Sequence, residues 1–166
     1  NSQEGLIYVE VIAQEDDVGV SEVQFATRQA PTRKPVIGVV MPTFRREEYA
    51  RRTCEAFING VFPDATCEIR LYVVDNGQSL EPFAHPAIQL IPNKNYGGAG
   101  GFARGTIEAQ RCQPDLTHVL YCDDDILIEP ESVRRMTSAL HFLPENVIVP
   151  GGMLEMGNRR RLHEIG

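Results

Sequence analysis

Three consecutive carboxylates, Asp123-Asp124-Asp125, close an apolar stretch that runs from Thr117 to Cys122. Adjacent anions repel one another, so such a triplet weakens the free protein unless a cation neutralises it. Residues two apart at a strand end point the same way, so Asp123 and Asp125 can share one hard cation through oxygen ligands. Mg²⁺ or Mn²⁺ suits that donor set and leaves coordination positions for two phosphate oxygens. Asp124 is expected to point elsewhere, toward a ribose or sugar hydroxyl. An acidic surface turn is the plain alternative, and the apolar strand directly upstream weakens it.

Other groups with chemistry stand at comparable places. Asp75 follows Tyr72-Val73-Val74, where a carboxylate accepts hydrogen bonds from a base N–H or a ribose hydroxyl, or equally caps the Asn76-Gly77 turn. Gly97-Gly98-Ala99-Gly100-Gly101 lets a backbone approach a ligand and opens a helix whose first N–H groups suit anions; a tight loop packed on a strand is the competing reading. Gly98-x-Gly100-x-x-Ala103, with Asp123 20 residues past Ala103, also fits a loose dinucleotide-binding fingerprint. Four polar residues separate those glycines from the preceding strand, and the acid is one of three, which both count against it. Arg45 and Arg46 can meet a diphosphate or base, or sit with Glu47 and Glu48 on a solvated helix start. Arg104 has a similar choice. His163 is a candidate ligand or acceptor contact, whereas His85, His118 and His141 carry no supporting context.

These groups need a scaffold, and the periodicity supplies one. Val36–Met41, Ile69–Val74, Ile88–Ile91, Thr117–Cys122 and Val147–Val149 read as strands. Glu47–Val61, about Gly101–Cys112 and a segment opened by Glu129-Pro130 read as helices, the last with Val133, Met136, Leu140 and Leu143 on one face. Strands alternating with helices predict an α/β fold, with a mostly parallel sheet flanked by helices and right-handed crossovers. The strand ends at Pro42–Arg45, Asp75–Gly77, Asn93 and Asn95, and Asp123–Asp125 then lie along one edge, where ligands bind in open parallel sheets. Before this, residues 6–12 and 20–27 are β-rich, and Arg28–Pro35 reads as a linker. The expected organisation is a β-rich segment and linker at 1–34 and an α/β domain at 35–166, truncated at its C-terminus.

Bulk composition narrows the classes. Apolar residues make up 42% of the 166, enough for a real core, and a net charge of −7 argues against a nucleic-acid partner. A single diphosphate stays compatible, because a metal ion supplies local positive charge. Cys54, Cys67, Cys112 and Cys122 show no zinc-ligand spacing and are expected to be reduced core residues of a cytosolic protein. No apolar run approaches the ~20 residues of a membrane span.

Val39-Val40-Met41-Pro42-Thr43-Phe44, Val73-Val74-Asp75-Asn76-Gly77, Asn93-x-Asn95-x-Gly97-Gly98-Ala99-Gly100-Gly101-Phe102 and Asp123-Asp124-Asp125 follow one another in an order that resembles family 2 glycosyltransferases of the GT-A (Rossmann-like) fold. The closest resemblance in kind is to bacterial galactofuranosyltransferases of cell-wall galactan synthesis, which carry a β-domain ahead of the GT-A domain. The resemblance covers about residues 36–166. It implies inverting transfer of a sugar from a UDP-sugar donor to a hydroxyl of a glycan or glycolipid acceptor, with Mn²⁺ or Mg²⁺. Galactofuranose comes first among the sugars, then rhamnose or N-acetylglucosamine. Pro42, Thr43, Phe44 and Arg45 would line the uridine pocket, Asp75 would bind the base, and Asn95 and Gly98 would sit near the donor. Asp123 and Asp125 would hold the metal, with Asp124 near the donor's sugar or ribose. Gly151, Gly152 and His163 would lie on the acceptor side. The family's general base and a metal-binding histidine belong to a later segment, expected beyond Gly166. The implied setting is cytoplasmic, with peripheral membrane contact at the inner face through the full-length protein. A dinucleotide-binding oxidoreductase domain and a non-catalytic nucleotide- or metal-binding module are the competing classes, and metal dependence of nucleotide binding separates them from the first.

Overall fold

The computed structural model describes residues 10–15, 17–21 and 27–165. The chain divides into two compact units, 1–30 and 31–166. The strand expectations at 6–12 and 20–27 fall largely outside the described residues.

The second unit is built on a four-stranded sheet. Its strands are β1 (Val36–Thr43), β2 (Glu68–Asp75), β3 (Ile88–Pro92) and β4 (His118–Tyr121), in the spatial order β3-β2-β1-β4. Every pairing in it is parallel. The apolar runs explain why: β1 and β2 are buried on both faces, so Val39, Val40, Met41, Leu71, Val73 and Val74 are inaccessible to solvent. The expected parallel α/β architecture is what the chain adopts.

Helices cover both faces. Helix α1 (Glu47–Ala56) runs on through a π-helical turn at Phe57–Val61, closed by Phe62 N–H donating to the Phe57 carbonyl at 2.9 Å. With α3 (Pro130–Leu140) it covers one face, where Cys54, Phe57, Val61, Val133 and Leu140 join Val39, Met41, Leu71 and Val73. The α3 start is as expected, with Pro130 in the first turn and the Glu129 side chain accepting from Glu131 N–H.

The opposite face belongs to α2 (Gly97–Cys112), which begins one turn before the expected Gly101. It packs through a stripe of small residues. A Cβ on Gly101 would stand 2.6 Å from Pro42 Cβ, one on Gly105 would stand 2.2 Å from Val40 Cγ1, and one on Gly38 would meet Ala109 Cβ at 3.0 Å. Residues 101, 105 and 109 thus descend α2 while 42, 40 and 38 descend β1. Four helical residues (~6 Å) nearly match two strand residues (~7 Å), which keeps the contacts in step. Of the glycine run itself only Gly101 takes part in this packing, while Gly97 and Gly98 face open space.

Beyond α3 the expected fifth strand at Val147–Val149 is absent. Val147 and Val149 are apolar because they pack against the core beside α3. An antiparallel hairpin follows that the periodicity did not announce, β5 (Gly152–Glu155) with β6 (Asn158–Ile165). All four cysteines are unbridged. No helix among the described residues is long and apolar enough to cross a membrane.

Candidate functional site

The polar edge forms because three strands end in register. Thr43 pairs with Asp75, and Asp75 pairs with Pro92. Beyond β4, Cys122 N–H donates to the Val40 carbonyl at 3.1 Å, so the aspartate triplet continues beside the end of β1. Cross-links knit the edge. Asn76 N–H donates to the Thr43 carbonyl at 2.9 Å, and Asn93 N–H to the Asp75 carbonyl at 3.0 Å. Asn93 Nδ2 donates to Asn76 Oδ1 at 2.8 Å, with both side chains buried.

The three aspartates do not share one environment. Asp124 is 6% exposed. Its Oδ2 accepts from Thr43 Oγ1 at 2.7 Å, its Oδ1 lies 3.4 Å from Arg46 Nη1, and its carbonyl accepts from Thr53 Oγ1 at 3.1 Å. β1, the loop after it and α1 all hold this one residue. The carboxylate expected to face a ribose or sugar is turned inward. Asp123 and Asp125 flank it and are exposed. Asp125 Oδ2 pairs with the same Arg46 nitrogen. Burial pushes the Asp123 carboxyl above the usual carboxylate range, and Asp125, Asp124 and Glu164 push it the same way.

Among the described residues, no three His, Cys, Asp or Glu side chains gather into a ready metal cage. Mg²⁺ is ordinarily held by one or two carboxylates plus substrate phosphates, and two exposed carboxylates in surplus negative field meet that requirement. Asp123 and Asp125 therefore fit a hard divalent cation by donor type and exposure.

Asp75 is 1% exposed, and its carboxylate is taken up by its own turn. Oδ1 accepts from Gly77 N–H at 2.9 Å, and Oδ2 from Ser79 and Leu80 N–H at 2.7 and 2.8 Å. It is the turn-capping reading of this residue that the geometry displays. Phe44 is exposed, with the Arg45 guanidinium 5.1 Å from its ring centre. Arg45 adopts φ 54°, a left-handed conformation that side chains rarely take. Asn95 Oδ1 accepts from Gly97 N–H at 2.9 Å and so shapes the start of α2. A Cβ on Gly98 would meet nothing within 4 Å, so this glycine faces open space at the helix N-terminus. Gly151 and Gly152 are exposed before and at the start of β5. His163 is exposed too, at a bulge: Met153 pairs with Glu164 and Leu154 with Leu162, leaving His163 unmatched.

The match to the glycosyl transferase family 2 model runs over residues 38–164, which takes in this whole edge. The chain belongs to that family. It is 32% identical over 152 residues to the galactofuranosyltransferase GlfT2 of Mycolicibacterium smegmatis, covering 86% of this chain and 23% of that protein. It is 36% identical over 79 residues to the galactofuranosyltransferase GlfT2 of Mycobacterium tuberculosis, covering 48% of this chain and 12% of that protein. The chain thus spans about a quarter of the length of these relatives or less. The parallel sheet of this family 2 domain, flanked by helices, is of the GT-A kind.

Two residues of the edge went unassigned in the sequence reading. Thr53 looked like one more helix residue, and Asn76 like a turn former. Their roles depend on partners 71 and 17 residues away, so no local signal marked them.

Proposed function

We propose that this chain is the donor-binding part of an inverting glycosyltransferase that moves a sugar, galactofuranose first, from a UDP-sugar to a glycan or glycolipid hydroxyl. One observation carries the reading. At the edge where four parallel strands end, Asp124 is anchored inward by Thr43 and Thr53, which leaves Asp123 and Asp125 presented outward on either side. The galactofuranosyltransferase relatives support the sugar.

Asp123 and Asp125 would hold Mn²⁺ or Mg²⁺. When bound, the ion supplies Lewis-acid stabilisation of charge growing on the departing diphosphate. The rest is done by the chain. Pro42, Thr43, Phe44 and Arg45 wall the nucleoside side, with Thr43 acting through Asp124. Asp75, the residue read as binding the base, would act there through the turn Asn76–Leu80 that its carboxylate holds in place. Asn95 fixes the α2 start, whose free N–H groups and Gly98 face the anionic donor. Arg46, freed from Asp125, is placed to meet diphosphate oxygens. Gly151, Gly152 and His163, exposed on and before the β5–β6 hairpin, would form the acceptor side. The general base is expected on a later acidic segment of the full-length protein. The fingerprint glycine Gly98 faces open space and Gly100 sits against Tyr96, so what counts against an oxidoreductase is the four residues between β3 and the glycines and the acid being one of three.

Calorimetric titration of UDP with Mn²⁺ and then with EDTA tests this. Binding should need the metal and weaken about 100-fold or more in Asp123→Ala/Asp125→Ala. Equal UDP affinity in that variant, or in EDTA, would sink the metal assignment; NAD binding without metal would revive the oxidoreductase class.

A further inference from the structure

Helices α1, α2 and α3 each carry one threonine, and the three hydroxyls go to different kinds of partner. Thr106 on α2 donates to the Phe102 carbonyl at 2.9 Å, and Thr137 on α3 to the Arg134 carbonyl at 3.0 Å. Both bonds stay within their own helix, the ordinary outcome for a helical hydroxyl. Thr53 on α1 instead donates to the Asp124 carbonyl at 3.1 Å, 71 residues away. Thr53 is 1% exposed and stands on the core face of α1 with Ala50 and Cys54. A hydroxyl on such an apolar face is unfavourable unless it is bonded, and its partner here is a main-chain oxygen of the acidic triplet.

Which oxygen is bonded decides what the bond does. The Asp124 carbonyl belongs to the peptide that joins Asp124 to Asp125, and a peptide is planar. Holding its oxygen therefore holds the plane from which the Asp125 Cα departs. Thr43 has a different task, since it bonds the Asp124 carboxylate at 2.7 Å and so keeps that side chain turned inward. Arg46 does reach Asp125, but from a half-exposed side chain and onto a carboxylate oxygen that a cation would take. A cation there displaces the guanidinium and leaves the Thr53 bond intact, because that bond is to a main-chain atom. Thr53 is thus the buried anchor of Asp125 that persists in both states.

We propose that Thr53 is a positioning residue for the metal site: from the core face of α1 it sets, through the Asp124–Asp125 peptide, the direction in which Asp125 offers its carboxylate to the cation. This role rests on the reading of Asp123 and Asp125 as the metal ligands, and it adds a residue that touches neither the metal nor the donor. Partners that orient a ligand in this way change metal affinity by about 10- to 100-fold when they are removed. A single neutral bond to the backbone belongs at the lower end of that range.

UDP affinity in Mn²⁺, read by calorimetry, tests this on the parent chain and its threonine variants. Thr53→Val keeps the branched shape and removes the donor, whereas Thr53→Ser keeps the donor and loses a methyl group. Thr137→Val is the control, because Thr137 is equally buried and bonds within α3. Thr53→Val should bind UDP about tenfold more weakly, and Thr53→Ser should stay within about twofold of the parent. Thr137→Val should bind as the parent does, even where its urea midpoint falls. If Thr53→Val does not fold, Thr53→Cys replaces it: with serine's shape and a much weaker donor, it should bind about tenfold more weakly than Thr53→Ser. Parent-like affinity in Thr53→Val, or in Thr53→Cys where that stands in, would overturn the proposal. So would an equal loss in Thr53→Ser, which would assign the effect to packing, or in Thr137→Val, which would assign it to a loosened fold. Failure of the metal-ligand reading looks different: the parent itself would bind UDP equally with Mn²⁺ and with EDTA, and the role of Thr53 would fall with it.

Discussion

The ends of β2 and β4 each bury an aspartate, yet the two carboxylates do opposite things. Asp75 accepts three N–H groups from the five residues that follow it, so it is a local cap. Asp124 accepts from Thr43 and Arg46, 81 and 78 residues away, so it is a link between elements. The local cap leaves no exposed neighbour with a charge. The long-range link sits between two exposed acids and sets their direction. Burying the middle of an acidic triplet thus leaves its two outer carboxylates exposed on either side, the pair proposed to hold the metal.

The largest effect that tests this contrast is Asp75→Ala. Removing a charged acceptor of three N–H groups should lower stability by about 3 kcal/mol in urea unfolding, with Mn²⁺ affinity unchanged. If Mn²⁺ binding fell as well, the two strand ends would not be independent. Asp124→Ala comes next. It strips Thr43 Oγ1 of its acceptor and should cost about 2 kcal/mol. Here Mn²⁺-dependent UDP affinity should also fall about tenfold, because Asp123 and Asp125 lose their alignment. Equal UDP affinity would mean that the outer carboxylates orient themselves.

The same contrast explains what was legible in the sequence. β1, β2 and α1 were plain because continuous apolar runs and a helical face report burial directly. The edge was legible because polar residues at the ends of apolar strands have one place to go in a parallel sheet. The orientation of Asp124 was not, since it depends on Thr43 and Thr53, which nothing in the local pattern connects to it. Val147–Val149 misled because Val147 and Val149 rest part-buried on the core while Ile148 is exposed, an alternation that a loop and a half-buried strand share. β6 escaped notice because Asn158-Arg159-Arg160-Arg161-Leu162-His163-Glu164 is exposed and polar, so it lacks the alternation that marks a half-buried strand. The glycine run concealed the first turn of α2, because glycine is a weak helix former and the packing on Pro42 and Val40 that favours it is tertiary.

A smaller effect concerns Asp123 alone. The raised Asp123 carboxyl means that the folded state resists ionising it. Stability should therefore fall as pH rises from the unfolded value of about 3.9 through the raised folded value, and the loss should persist at neutrality. Asp123→Asn removes that loss. Thermal unfolding at neutral pH should show the variant to be more stable than the parent, the difference vanishing in acid, while metal-dependent UDP binding disappears. A less stable variant at neutral pH would mean that Asp123 makes a favourable contact in the free protein.

The smallest effect concerns Arg46, which pairs with Asp125 and reaches toward Asp124. The guanidinium and a divalent cation compete for the same Asp125 oxygen. Burial does not hold Arg46 in place, since its side chain is 51% exposed, so solvent and salt weaken its grip. Arg46→Met should then tighten Mn²⁺ binding to the nucleotide-free protein about threefold, as read by EPR of free Mn²⁺ at low salt, and the gain should shrink as salt is added. UDP affinity in saturating Mn²⁺ should move the other way, because the diphosphate loses a cation. If Mn²⁺ binding weakened instead, Arg46 would be orienting Asp125 rather than competing for it, and the outer acids would depend on a link of their own much as Asp124 depends on Thr43.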